Sequence, residues 1–411
     1  MVKPSPWDLS VLSLKQFKFV KSVLAYTYNR KTHMYKDLSK HFFNAYQSFR
    51  VDSFTTRRFT SGQFHAIIDS MNLPETLCKV RVAGNSLEGR PIRLFSIGTG
   101  NISILLWSQM HGDESTATMA IADLLNFFKM YSGKEEVATL LNQVTLHFLP
   151  MLNPDGAERF QRRTAQNIDM NRDALALRTP EARILKELQQ KLKPMFGFNL
   201  HDQELSTIGA THTLAEIALL APAYNIAKED NEVRLRAKYL NAMFAEIMQQ
   251  FIPNAIAKYD DTFEPRAFGD NMQLWGTSTM LVESGHTLND PEKWNIRKYN
   301  AVGILTSFFA LANGAYKQAN LDSYNTLPAN GKKVYDVIIR NVFIEHTNST
   351  TTPADIGIWY QVDTHVEETP ILIDAGDLST YFGLKEVDGK GQKVSSSLIK
   401  LGKPFDWEGM F

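Results

Sequence analysis

The chain has 411 residues, 44% of them hydrophobic, and its 44 basic side chains are matched by 44 acidic ones. A chain of this size can bury a substantial core and is expected to span more than one domain. The even charge argues against a nucleic-acid surface, which needs a strongly positive patch. A single cysteine, Cys78, leaves no internal disulfide framework and suits a reducing compartment. No apolar run approaches the roughly 18 residues needed to cross a bilayer. The first 30 residues carry Asp8, Lys15, Lys18, Lys21 and Arg30 and no secretory apolar region. The expectation is a cytoplasmic protein without a membrane partner.

In chain order, residues 1–48 are rich in Lys, Tyr and Phe and read as a helical N-terminal extension without catalytic motifs. Residues 60–71 open on a capping threonine and form a short helix. Gly84 to Gly98 reads as a hairpin turning at Glu88-Gly89. Ile102 to Trp107 is a buried strand, and Ser115 to Met130 an amphipathic helix; His111-Gly112-Asp113-Glu114 lies between them. Leu149 to Gly156 runs into Asn153-Pro154-Asp155-Gly156, a turn tetrapeptide. Four arginines follow, Arg159, Arg162, Arg163 and Arg172, the last within Asn167 to Asp173. Thr179-Pro180-Glu181 starts a helix with a capping hydroxyl, a proline in the first turn and an acid at the positive end of the dipole. Met195 to Leu200 is a second apolar strand, and His201 stands at its end. Residues 229–251 form a long helix. Thr277 to Gly285 is β-prone, with Glu283 where the strand gives way to glycine. Beyond residue 325, short β-like runs at Val334–Ile338, Val342–Ile344 and Ile371–Ile373 make a small β-rich appendage with no residue suggesting chemistry. Alternating strands and helices mean α/β: a mixed, mostly parallel twisted sheet flanked by helices. The expected divisions are 1–48, 49–325 and 326–411.

The chemistry-bearing residues fall at strand ends, where open α/β sheets place their crevice. A catalytic zinc site uses three protein ligands and leaves a position open for water. His111, Glu114 and His201 supply two imidazoles and a carboxylate, and Glu283 a second carboxylate to activate water. H-x-x-E alone proves little, because a chain with ten histidines contains it by chance roughly every second time. A carboxylate at a buried strand end is costly unless paired or functional. An arginine fork beside an asparagine amide is shaped to hold one carboxylate bidentately.

The series S-x-E-G-R-P-I, H-G-D-E, N-P-D-G, D-x-N-R-D, strand-end His and strand-end Glu resembles the zinc metallocarboxypeptidases of the carboxypeptidase A type, in a bacterial-looking, cytosolic-type branch. The resemblance covers roughly residues 50 to 310. It implies one zinc per chain on His111, Glu114 and His201, and hydrolysis of a C-terminal peptide or amide bond by a zinc-activated water with Glu283 as general base. It further implies that Asn171 and Arg172 grip the substrate's terminal carboxylate. Asp169 would orient the first zinc histidine, and Arg162, or Arg163 as its alternative, would polarise the scissile carbonyl. The chain departs from the pattern in two places. Asp113 stands where digestive members carry arginine. The mobile tyrosine that closes over the substrate terminus has no clear counterpart, although Tyr259 lies at a matching distance, 24 residues before Glu283. Arg266 and Asp270, in the region that lines the specificity pocket, are candidate substrate contacts. The expected partner is a peptide or small amide with a free carboxylate. Two other readings stay open: a deacylase of the aspartoacylase type acting on N-acyl amino acids, and a catalytically silent peptide-binding module.

Overall fold

The computed structural model describes residues 34–362 and 368–411. The proposed N-terminal extension therefore lies outside the described residues up to position 33; its remainder is the helix Met34–Ala45 and a single 3-10 turn to Ser48.

Among the described residues nine strands precede residue 326: β1 (Cys78–Asn85), β2 (Pro91–Ile97), β3 (Ile102–Ser108), β4 (Val144–Leu149), β5 (Phe196–Asp202), β6 (Thr207–Ile208), β7 (Ile217–Leu220), β8 (Ile256–Lys258) and β9 (Ser278–Ser284). All but β6 join one sheet in the order β1-β2-β4-β3-β5-β9-β7-β8. The central pairs β4/β3, β3/β5 and β5/β9 are parallel, as is β7/β8, while β1/β2, β2/β4 and β7/β9 are antiparallel. This is the expected mixed, mostly parallel sheet. Every residue of β5 and β9 is buried, which is why these strands read as apolar runs rather than as an alternation.

Alternation reappears in which face each residue serves. Ile104, Leu106, Phe196, Phe198, Leu200, Met280 and Val282 pack into one large core with the helices Thr116–Tyr131, Glu232–Met248 and Trp294–Ala312. Leu105 and Trp107 point the other way, onto the helices Pro180–Leu192 and Phe268–Leu274. His201 and Glu283 follow Leu200 and Val282, so they share this second, less heavily covered face. Full burial of a Leu or Phe side chain contributes about 1.5–3 kcal/mol, so the first core anchors the strands whose ends carry the site.

The local signals behaved as their chemistry dictates. Thr60 and Gln63 form a reciprocal capping box on the helix Ser61–Ser70. Thr179 Oγ1 caps Pro180–Leu192, and Lys193 ends that helix in the left-handed region at φ 42°. Three details differ from expectation. Asn153-Pro154-Asp155-Gly156 is the first turn of a short helix, Pro154–Glu158, because Asn153 Oδ1 accepts the Gly156 N–H and proline occupies the first position. The long helix is shorter, Glu232–Met248, and its Leu235 faces outward. The two runs at 334–344 are one strand, β11 below, kept continuous across a register shift between Ile339 and Val342.

The C-terminal sheet contains β11 (Val334–Glu345), β12 (Thr351–Val362), β13 (Glu368–Gly376), β14 (Phe382–Asp388), β15 (Lys393–Ser395) and β16 (Lys403–Pro404). It has its own core around Val337, Ile339, Ile356, Leu372, Phe405 and Trp407. The short strand β10 (Asn330–Gly331) pairs with β6, and Asn330 Nδ2 donates to Gln203 Oε1 at 2.8 Å. His212 stacks on Phe382 with ring centroids 4.9 Å apart. Among the described residues no helix is long and apolar enough to cross a membrane.

Candidate metal and active site

The site begins with backbone geometry. After β3 the chain turns at Gln109 (φ 53°) and delivers His111 and Glu114 above the sheet, before the helix Thr116–Tyr131 starts. Gly112 is required by close approach: a Cβ there would lie 2.0 Å from the Gly156 carbonyl carbon. The glycines of H-G-D-E and N-P-D-G are thus two halves of one backbone contact. Asp155 of the second motif anchors the hairpin turn. It accepts from Ser86 Oγ at 2.7 Å, from the Glu88 N–H at 3.0 Å and from Arg90 Nη1 at 2.7 Å.

His111, Glu114 and His201 converge, with their potential ligand atoms all within 4.8 Å of one another. His111 Nδ1 is 2.7 Å from Glu114 Oε1, and His201 Nδ1 is 2.8 Å from Glu114 Oε2. His111 Nε2 lies 3.1 Å from Asp169 Oδ1, which fixes the ring and leaves Nδ1 facing inward. The donor set fits a zinc ion: two inward imidazole nitrogens and a carboxylate, all buried. His201 Nε2 is buried and has no partner.

The electrostatics describe a place made for positive charge. Burial favours the neutral forms, yet the two imidazoles hold Glu114 well below the ordinary carboxylate range. For His111, burial opposes the charge, but Glu114 and the bond to Asp169 outweigh it and lift the imidazole to about 9. His201 is pulled down, chiefly by burial. Asp169 is held low: burial is outweighed by His111 and Arg162.

Glu283 stands directly across the β5/β9 ladder from His201. Burial pushes its carboxyl well above the usual range, with Glu114 and Asp202 adding to the rise. Among the described residues no hydrogen bond holds that carboxyl group. Arg162 reaches the trio, donating to Glu114 Oε1 at 3.1 Å and to Asp169 Oδ2 from Nε (3.2 Å) and Nη2 (3.1 Å). Arg163 does not; it donates to the Asn167 carbonyl and is exposed. Asp113 lies close enough for Glu114 to matter, and burial followed by that charge raises it to about 6.

The D-x-N-R loop is a 3-10 turn, Met170–Arg172, capped by Asp169. Asn171 Oδ1 accepts the Phe268 N–H at 2.9 Å, tying this loop to the start of Phe268–Leu274. Arg172 donates to the Asn171 carbonyl, and its Nε lies 3.5 Å from Glu264 Oε2. Asp270 is buried, accepts the Glu264 N–H, and is pushed up to about 7 by burial. Arg266 joins this group only through Glu264, with its side chain 56% exposed. Tyr259 faces the site: Glu283 first, then burial and Glu114, raise its hydroxyl to about 12.

Residues that spacing did not flag also belong here. Asp202 follows His201, and its N–H donates to Glu114 Oε2 at 3.2 Å. Its side chain meets Thr116, Arg57 and Lys293. The adjacency to His201 was a usable signal for Asp202. Arg57 and Lys293, far away in sequence, had none.

Comparison with known proteins reaches the part of the chain that carries the three candidate ligands. Residues 65–202 match the zinc carboxypeptidase family, Peptidase_M14. The chain is 28% identical over 188 residues to a protein named Probable carboxypeptidase 2 from Arthroderma benhamiae, covering 43% of this chain and 35% of that one. It is 34% identical over 99 residues to Carboxypeptidase 2 of Trichophyton rubrum, covering 24% and 18%. The chain thus spans about a third or less of the length of these relatives. In fold it is similar to a metallo-carboxypeptidase from Burkholderia cenocepacia (18% identity, TM-score 0.49, 62% of this chain and 68% of that one).

Proposed function

We propose that this chain is a zinc-dependent carboxypeptidase that releases the last residue of a peptide, with one zinc held by His111, Glu114 and His201. The observation that carries this reading is the β5/β9 register, which sets the unpartnered Glu283 carboxyl opposite His201 and beside the trio. Bound there, zinc would polarise the scissile carbonyl and make an attacking water more acidic. Glu283 accepts the proton of that water and delivers it to the leaving amine, a role suited to a carboxyl whose burial raises its proton affinity. Arg162 meets the charge that develops on the carbonyl oxygen. Arg172 and the free amide nitrogen of Asn171 hold the substrate's terminal carboxylate, so that binding orients the bond to be cut. Tyr259, Asp270 and Arg266 line the approach, with Arg163 outside it. Asp169 keeps His111 in the tautomer that presents Nδ1.

We read residues 49–325 as the catalytic domain, 326–411 as a β-rich domain with its own core, and 1–48 as an extension. The direct test is to incubate zinc-loaded protein with a mixed free-acid peptide library and to measure products by mass spectrometry. Loss of single C-terminal residues is expected; internal cleavage, or none, would sink the reading. His201→Ala should lose stoichiometric zinc by elemental analysis, since two ligands do not hold it tightly.

A further inference from the structure

At the end of β5, two cations meet one carboxylate oxygen. Asp202 is buried, and its Oδ2 accepts from Thr116 Oγ1 at 2.6 Å. The same oxygen lies 3.4 Å from Lys293 Nζ and 3.4 Å from Arg57 Nη1. Lys293 is buried and also donates to the Ser284 and Gln203 carbonyls, at 3.0 and 3.5 Å. It is the resident counter-ion of Asp202.

Arg57 differs. It touches Asp202 through one loose contact, its side chain is 20% exposed, and among the described residues no second carboxylate pairs with its guanidinium. Its main chain is nevertheless held firmly. The Arg57 N–H donates to Glu292 Oε2, and its carbonyl accepts from Ser115 Oγ. The guanidinium carbon lies 5.2 Å from the centre of the Phe160 ring, in the loop that carries Arg162. Both cations are felt next door: burial first, then Lys293 and Arg57, hold the His286 imidazole well below its ordinary range.

A guanidinium with spare donors and a fixed base is pre-organised for a bidentate carboxylate. Asp202 donates its N–H to Glu114, so Arg57 is one residue removed from the trio. Arg172, by contrast, belongs to the group at Glu264. With the terminal carboxylate at Arg172 and the last bond at the trio, as proposed above, Arg57 is the cation left for residues upstream of that bond. We infer that Arg57 is a specificity-determining residue that binds a carboxylate on one of the two residues upstream of the cut bond, so that acidic peptide tails are preferred. This rests on the carboxypeptidase reading above.

The test uses three free-acid peptide pools, mixed at the last position and differing only in Glu, Ala or Lys at the two positions before it. The zinc-loaded protein should show kcat/KM about tenfold or more higher for Glu than for Ala, mostly through KM, as expected for a charge-assisted contact. Arg57→Ala should bring that ratio below about twofold, and Arg57→Glu should favour Lys, with zinc content and Tm measured alongside. Binding of the same pools to Glu283→Gln reads the preference without turnover. Absence of hydrolysis would therefore count against the carboxypeptidase reading, while binding still decides the role of Arg57. Equal binding of Glu and Ala pools by the protein, or a Glu preference that survives Arg57→Ala, overturns the inference.

Discussion

Two buried charge clusters in this molecule are built to opposite rules. Asp123 and Arg297, on the two helices behind the sheet, are both fully buried and paired at 2.6 and 2.8 Å. Asp123 also accepts from Tyr46 Oη and the Val51 N–H, each at 2.7 Å, and Arg297 donates to the Val51 carbonyl. Both oxygens of the carboxylate are satisfied, and one cation answers one anion. At the ends of β3, β5 and β9, Glu114, Asp202 and Glu283 crowd together, and His201 Nε2 and Asp202 Oδ1 are left without partners. Unpaired buried polar groups are expensive, so their concentration here marks where a ligand completes the structure. Among the described residues the first cluster leaves only Arg297 Nη1 without a partner, whereas the second leaves the Glu283 carboxyl, Asp202 Oδ1 and His201 Nε2 unanswered.

The largest effect should come from breaking the first cluster. Asp123→Ala leaves Arg297 buried and uncompensated, and should cost about 3–5 kcal/mol in denaturant unfolding. Zinc content per folded molecule should stay at one; a fall in zinc without a fall in stability would invert the comparison. The opposite mutation is Glu283→Gln, which removes a carboxyl that folding had to desolvate. Stability should hold or rise, while kcat falls by about 10²-fold or more with zinc retained. Near-normal turnover would make Glu283 a structural residue.

Glu181 sharpens the contrast, because it is fully buried and among the described residues no ion pair holds it. Burial, then Asp155, raise its carboxyl to about 7, against the backbone N–H groups of Glu181 and Leu87 and the charge of Arg183, which lower it. A folded-state pKa above the unfolded value means that the native state binds the extra proton. Stability from this group is therefore full below about pH 4.5 and declines as pH rises toward 7. Glu181→Gln should stabilise the protein by on the order of 2 kcal/mol at pH 8 and make little difference at pH 4. Equal effects at both pH values would show that the carboxyl is not desolvated. The smallest effect tests the open side of the second cluster. Amidating the peptide's carboxyl end should slow cleavage about tenfold, and Arg172→Ala should do the same on free-acid peptides yet add little on amidated ones. Indifference to amidation would remove the carboxylate clamp.

The local half of this molecule was legible because its causes are local. Capping at Thr60 and Thr179, the hairpin before β3, the strand runs and the H-x-x-E and D-x-N-R motifs depend on neighbours a few residues away, and the structure places them where those neighbours require. The order of motifs along the chain pointed to the trio, and the structure brings His111, Glu114 and His201 together as a group that could hold a metal ion. What spacing could not reach were relations set by the packing of distant segments. The glycine-to-glycine contact of Gly112 with Gly156 is one. That Arg162 rather than Arg163 reaches Asp169 is another, set by which side of a loop each arginine takes. Short β7 and β8, with three or four residues each, carried too little periodicity to be read. Arg57, Asp202 and Lys293 lie at positions 57, 202 and 293 and meet only because the sheet brings the end of β5 beneath the start of one helix and beside another. The sequence by itself determined which residues could bind metal, take a proton or grip a carboxylate, because those are properties of side-chain type. Only the tertiary structure decided which charges are matched and which are left over, because a charge balance is a property of everything packed around it.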